Sequence, residues 1–186
     1  MASEVRQNMI EAAMYLIASK GVQATSFADV LKASGAPRGS VYHHFPGGKD
    51  ELVLAAMDNA MDMARAFVEP ARGKPADKVA EAFIGFWRDV LTDSRLGCGC
   101  TLLAVTLAPD TPAQRTRAGE MFKSWRELLS SMLIEGGVHR ERAPGLAAGL
   151  LAACEGAVAL ARAEKSVKPF NLVAAEQVRS VRDAMR

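Results

Sequence analysis

The chain has 186 residues, 49% of them hydrophobic and 24% charged, with 23 basic against 21 acidic residues and a formal charge of +2. This length confines it to one domain, or a small module joined to a larger one, and the apolar share excludes wholesale disorder. The near balance of charge excludes a histone-like polycation, so any nucleic-acid contact must rest on a local patch.

Residues 1–8 include Glu4 and Arg6 and lack an apolar run, so no signal peptide is expected. Val, Ile and Thr nowhere alternate with polar residues, whereas apolar spacings of three and four recur, which predicts an all-α fold. A first helix is expected over 3–20, with Ser3 as N-cap, Gly21 past its end, and Met9, Ile10, Ala13, Leu16 and Ile17 on its apolar stripe. Thr25 or Ser26 caps a short second helix, with Asp29 three residues after Ser26 and Gly35 as its stop. Pro37 suits the first turn of a third helix that ends near Phe45. Pro46-Gly47-Gly48 breaks the chain, and a long helix follows from Lys49 or Asp50 to Val68.

Beyond a linker at 70–75, further helices are expected at 76–94, 100–108, 112–135, 144–165 and 171–185. They are separated by glycine and proline at 97–99, 109–112, 136–137 and 168–169. The architecture predicted is an N-terminal three-helix helix-turn-helix domain, joined by a long helix to a C-terminal helical bundle. The boundary between the two parts is placed between residues 48 and 49. An apolar stretch at 143–161 has membrane-span length, but it is mostly Ala and Gly and Glu155 interrupts it, so no membrane segment is expected.

The informative stretch is 25–49. Two short helices joined by Ser34-Gly35-Ala36 form a helix-turn-helix in which Gly35 supplies the positive φ of the turn. Val41 and Phe45, four apart, anchor the second of these helices, leaving Arg38, Ser40, Tyr42, His43 and His44 on the other faces. Two adjacent helical His cannot share one buried face. Tyr42 suits a core position and a phosphate contact equally. Residues 30–49 contain Lys32, Arg38 and Lys49 and no acid, a net charge of +3. An uncompensated patch of this kind is what phosphate contact requires.

Thr25-Ser26-Phe27-Ala28-Asp29-Val30, the run from Ser34 to Phe45, and Lys49-Asp50-Glu51-Leu52 together resemble the DNA-binding domain of TetR-type transcriptional regulators. The Pro-Gly-Gly between Phe45 and Lys49 is one residue longer than the common family pattern. With Gly97-Cys98, it resembles the LmrA/YxaF-like branch. The resemblance implies a homodimer that binds a palindromic double-stranded DNA operator and is released by a small ligand. It implies that Thr25 or Ser26 contacts phosphate, that Pro37, Arg38, Gly39 and Ser40 enter the major groove, and that Tyr42, His43, His44 and Lys49 grip backbone. Arg38 is the best reader of a guanine edge, because its fork matches O6 and N7.

In the second half, Phe83, Phe86, Trp87, Leu103 and Leu107 concentrate large apolar side chains, as do Met121, Phe122 and Trp125. They are candidates to line a pocket for a hydrophobic effector, although helical spacing of this kind also describes ordinary core. Glu155 in its apolar helix could pair with an Arg across an interface or face ligand or solvent. The helix at 144–163 has eight Ala and three Gly. Its Gly149, Ala153, Gly156 and Ala157, with Val178, Val181 and Met185 of the last helix, are expected to pair with their copies in an isologous four-helix seam.

Cys98-Gly99-Cys100 has only His139 near it in sequence, too few ligands for a zinc site, and a bridge across one residue is strained. A Cys–His hydrolase lacks a nucleophile motif. No metal, cofactor or enzymatic activity is expected. The chain is therefore read as a cytoplasmic ligand-responsive repressor. The alternatives are a cysteine-based redox-sensing repressor or an effector-independent architectural DNA-binding protein.

Overall fold

The structure is a computed structural model and describes residues 2–185. The chain is 77% helical, with no strand among the described residues. In order, the helices are α1 (Ala2–Lys20), α2 (Phe27–Ser34), α3 (Val41–His44), α4 (Gly48–Val68), α5 (Ala76–Asp93), α6 (Thr101–Leu107), α7 (Pro112–Glu135), α8 (Ala143–Glu164) and α9 (Lys168–Asp183). A short 3-10 turn, Glu69–Ala71, follows α4.

The chain divides into two compact units. Met1–Met63 group with Cys100–Met121, and Ala64–Gly99 group with Phe122–Arg186. In the first unit α1 packs on α2 and on α6. Met9, Ile10, Ala13 and Ile17 of α1 are buried there as their spacing requires, together with Val30, Val41, Phe45, Leu52, Met57, Leu102 and Val105. In the second unit α8 packs on α9, and α5 on both. Its core includes Phe83, Trp87, Leu91, Trp125, Leu129, Leu150, Phe170 and Val181.

The turn chemistry follows local rules. Ser26 and Asp29 form a reciprocal capping box at the start of α2, and Gly35 ends that helix in the left-handed region at φ 68°. Proline opens α8 and α9 from within their first turns, where its missing N–H costs no helix bond. That is why α9 begins three residues before the predicted 171.

Two other boundaries differ. Helix α1 already includes Ser3, so Ser3 is not its N-cap. Helix α3 spans only Val41–His44 instead of starting near Pro37. The Pro37 carbonyl, which a helix would offer to residue 41, accepts from the Ser40 backbone N–H at 3.0 Å and the Ser40 hydroxyl at 2.7 Å. Residues 37–40 therefore close as a turn ahead of the helix. Helix α8 has the length and apolar composition of a membrane span, but it packs on α9 and α5, with Cys154 and Glu155 buried.

Candidate nucleic-acid interface

Residues 37–44 follow immediately after the tight turn at Gly35, and two apolar anchors hold them. Val41 and Phe45 are both buried, and Arg6 lies over the Phe45 ring at 5.0 Å. With those two side chains turned inward, Pro37, Arg38, Gly39, Tyr42 and His43 are exposed, and Ser40 and His44 are half-buried. Tyr42 resolves outward, 73% exposed, its ring edge-on to Phe27 at 6.0 Å. His43 and His44 stack edge to face at 5.0 Å.

The Arg38 and Lys32 side chains make no ion pair or hydrogen bond among the described residues. Their charge is uncompensated, which an anionic backbone or a base edge can exploit. Gly39 has open space where a Cβ would stand, so its backbone can approach a partner closely.

The residues before α2 are more committed. Thr25 is 4% exposed and its hydroxyl donates to the Gly21 carbonyl at 2.8 Å. Thr25 thus buttresses the turn from beneath. Ser26 is exposed, and its hydroxyl donates to Asp29 Oδ2 at 2.7 Å and accepts from the Asp29 N–H at 3.2 Å. The hydroxyl bond to Oδ2, the Ser26 backbone N–H that donates to the same oxygen at 3.1 Å, and Lys20 at 3.0 Å hold the Asp29 carboxyl down to about 2.

Lys49 is also engaged. Its ammonium donates to the Val22 carbonyl at 2.8 Å and pairs with Asp110 Oδ2 at 2.8 Å. Beside it, Asp50 Oδ1 accepts from the Thr111 hydroxyl at 2.7 Å and from the Gln114 side-chain amide at 2.9 Å. Gln114 is fully buried, and its carbonyl oxygen accepts from the Asp110 N–H at 2.9 Å. Thr111 and Gln114 lie 61 and 64 residues from Asp50 in the chain, and they and Asp110 carry no sequence signal; Gln114 sits in an ordinary polar run.

The effector candidates fall in both units. In the second, Phe83, Trp87 and Trp125 are buried and Phe86 and Phe122 half-buried. Phe83 meets Trp125 at 5.5 Å, and Phe86 meets Trp87 at 5.3 Å and Phe67 at 5.8 Å. The Trp87 indole N–H is buried without an acceptor among the described residues, an uncommon and costly condition. In the first unit Met121 is buried, Leu103 half-buried and Leu107 76% exposed.

Of the seam candidates, Gly149 and Gly156 lie on an open face of α8, Ala153, Val178 and Met185 are half-buried, and Ala157 and Val181 are buried within their own unit. Ala152 and Leu160 extend the open face of α8, and Leu172 is exposed on α9. Leu160 belongs to the apolar stripe that helical spacing picks out, whereas Ala152 carries no sequence signal, because an Ala-rich helix shows little contrast between its faces.

Two family models match in turn. Residues 9–56 match bacterial regulatory proteins of the tetR family, and 75–176 match the C-terminal domain of LmrA/YxaF-like transcriptional regulators. The chain belongs to the TetR family, in its LmrA/YxaF-like branch. As such it is a DNA-binding transcriptional regulator. It is similar to the HTH-type transcriptional regulator Rv0196 of Mycobacterium tuberculosis, 35% identical over 175 residues that cover 90% of this chain and 89% of that one. It is likewise similar to YxaF of Bacillus subtilis, 31% identical, covering 93% and 92%. A solved TetR regulator from Chloroflexus aurantiacus has a TM-score of 0.79 and 28% identity, covering 97% of this chain and 96% of that one. The resemblance expected from residues 25–52 therefore extends over nearly the whole TetR-type chain.

Proposed function

We propose that this regulator is a homodimeric repressor that reads a palindromic operator and leaves it when a small hydrophobic effector binds. The observation that carries the reading is the outward segment 37–44, where Arg38 is exposed and makes no internal ion pair. Arg38 reads a base edge in the major groove, while Pro37, Gly39 and Ser40 bring the backbone close. Tyr42, His43, His44, Ser26 and Lys49 meet phosphates, and Thr25 supports them. Residues 1–48 carry the reading face, and residues 49–186 hold the effector and pair the protomers. Paired reading segments then meet half-sites about 34–36 Å apart or a multiple of that.

The open face of α8, with Gly149 and Gly156, supports dimerisation, because a helix without bulk there admits a close neighbour. The buried Trp87 N–H supports an effector that is apolar and offers one hydrogen-bond acceptor. A redox-sensing role has less support. Burial, and then the neighbouring Glu155 charge, push the Cys154 thiol up to about 12, and Cys100 Sγ serves as cap of α6, accepting from the Leu103 N–H at 3.3 Å.

Selection of duplexes from a random-sequence pool by the purified full chain tests the reading. A recovered inverted repeat, released by an apolar compound from a screened panel, is the expected result. Recovery without inverted symmetry overturns the dimeric operator, and release by none of the panel favours the architectural alternative.

A further inference from the structure

Lys49 reaches the first turn of α4 with its charge already answered. Its ammonium stands 2.8 Å from both the Val22 carbonyl and Asp110 Oδ2, a carboxylate oxygen at the distance a phosphate oxygen would also take. We propose that Asp110 is a built-in rival of the operator phosphate for Lys49, so that a residue outside the helix-turn-helix sets operator affinity. The inference rests on the phosphate role given to Lys49 above.

Three features carry it. First, Asp110 does not depend on Lys49 for its position. Its N–H donates to the carbonyl oxygen of the fully buried Gln114, and Gln114 and Thr111 both donate to Asp50, the residue after Lys49. The corner between α6 and α7 therefore holds the Asp110 backbone beside the start of α4 through bonds that do not involve Lys49.

Second, the pair is open enough to exchange. The side chains of Lys49 and Asp110 retain 32% and 28% of their exposure, so water screens their attraction and an incoming phosphate has access to the ammonium. The two acids that follow Lys49 are directed elsewhere: Asp50 accepts from Thr111 and Gln114, and Glu51 accepts from the Gly47 N–H at 2.9 Å and lies 3.8 Å from Arg6.

Third, the +3 charge of residues 30–49 is a count of formal charges. While Asp110 holds Lys49, only Lys32 and Arg38 of that patch lack a carboxylate partner among the described residues. DNA gains the third cation only by displacing Asp110, which is then left as an unpaired anion beside the phosphates. That penalty lowers affinity and reduces the net counterion release on binding.

The test compares the wild type, Asp110→Asn, Lys49→Met and the double variant on the duplex recovered by selection, by fluorescence anisotropy between about 50 and 200 mM salt. Asn is isosteric and keeps the backbone bond to Gln114, so the corner is retained; a thermal melt verifies this. Asp110→Asn is expected to bind several-fold tighter, to steepen the slope of log K against log salt by about 0.9, and to lose both gains when Lys49 is Met.

Glu120→Gln removes an acid from the same unit as a control for overall charge, and its effect should not depend on Lys49. Weaker binding by Asp110→Asn would make Asp110 a support for Lys49 instead of a rival, and would overturn the proposal. So would a gain that persists with Met at position 49, or no change at all. A wild type that binds duplex while Lys49→Met leaves affinity and slope untouched overturns the phosphate role itself, and the rivalry with it. A wild type that binds no duplex overturns the operator reading instead.

Discussion

Gly136, just past the end of α7, meets the start of α5 so closely that its missing side chain can be weighed. A Cβ there would stand 2.6 Å from the Ala76 nitrogen, 2.7 Å from the Lys74 carbonyl oxygen and 2.8 Å from the Ala76 Cα. All three are backbone atoms, so no flexible side chain can yield. The Ala76 N–H also donates to the Gly136 carbonyl at 2.9 Å, and Ala76 is fully buried. Its φ lies outside the left-handed region, so substitution by Ala isolates close approach from backbone strain.

Relieving an overlap of this size moves the 74–76 segment off α7. Overpacking costs about 1–3 kcal/mol and the strained hydrogen bond about 0.5–1.5 kcal/mol, so Gly136→Ala is expected to destabilise by about 2–4 kcal/mol. For a chain of this length that lowers Tm by roughly 5–15 °C. Thermal unfolding followed by circular dichroism reads it. Gly119→Ala is the comparison: Gly119 is exposed within α7, nothing lies within 4 Å of its Cβ position, and Ala there should gain about 0.5–1 kcal/mol. Equal Tm values for the two variants would refute the contact argument.

Two further predictions concern the cap and the seam. Because Ser26 and Lys20 hold the Asp29 carboxyl at about 2, below its ordinary 3.8, the stabilisation from its charged form is fully present above about pH 4. It is lost as pH falls towards 2. Ser26→Ala should return the NMR titration midpoint of Asp29 towards the ordinary value and cost about 1 kcal/mol; an unmoved midpoint contradicts the assignment. Gly156→Leu places bulk on the open face of α8, where a Cβ meets nothing within the protomer. Light scattering should show monomer with unchanged helicity, and a persistent dimer would move the seam elsewhere.

Signals confined to a few neighbouring residues were legible. Ser26 with Asp29, Gly35, and the Val41 and Phe45 anchors each act within one turn, and the structure uses each as the sequence implies. The start of α3 was not legible, because the Ser40 hydroxyl competes locally for the carbonyl of Pro37. Nor was the pairing of Lys49 with Asp110, which depends on where the fold brings residue 110. Residue type alone did not reveal that Thr25 would be buried, since a cap serine and a buried threonine stand side by side there.

Helix α8 shows the limit in another form. Leu150 and Ala157 face inward while Gly149 and Gly156 face out. Where nearly every residue is small and apolar, periodicity indicates a helix without indicating which side is covered.

Base-sequence recognition by the outward side chains of residues 37–44 is the central claim. Affinity of wild type and Arg38→Ala for the selected operator and for a scrambled duplex, at one salt concentration, measures this directly. Loss of a guanine contact should cost about 1–3 kcal/mol on the operator, roughly fivefold to 150-fold, with a much smaller change on the scrambled duplex. Equal losses on both duplexes would show that Arg38 senses only backbone charge, and would contradict the account.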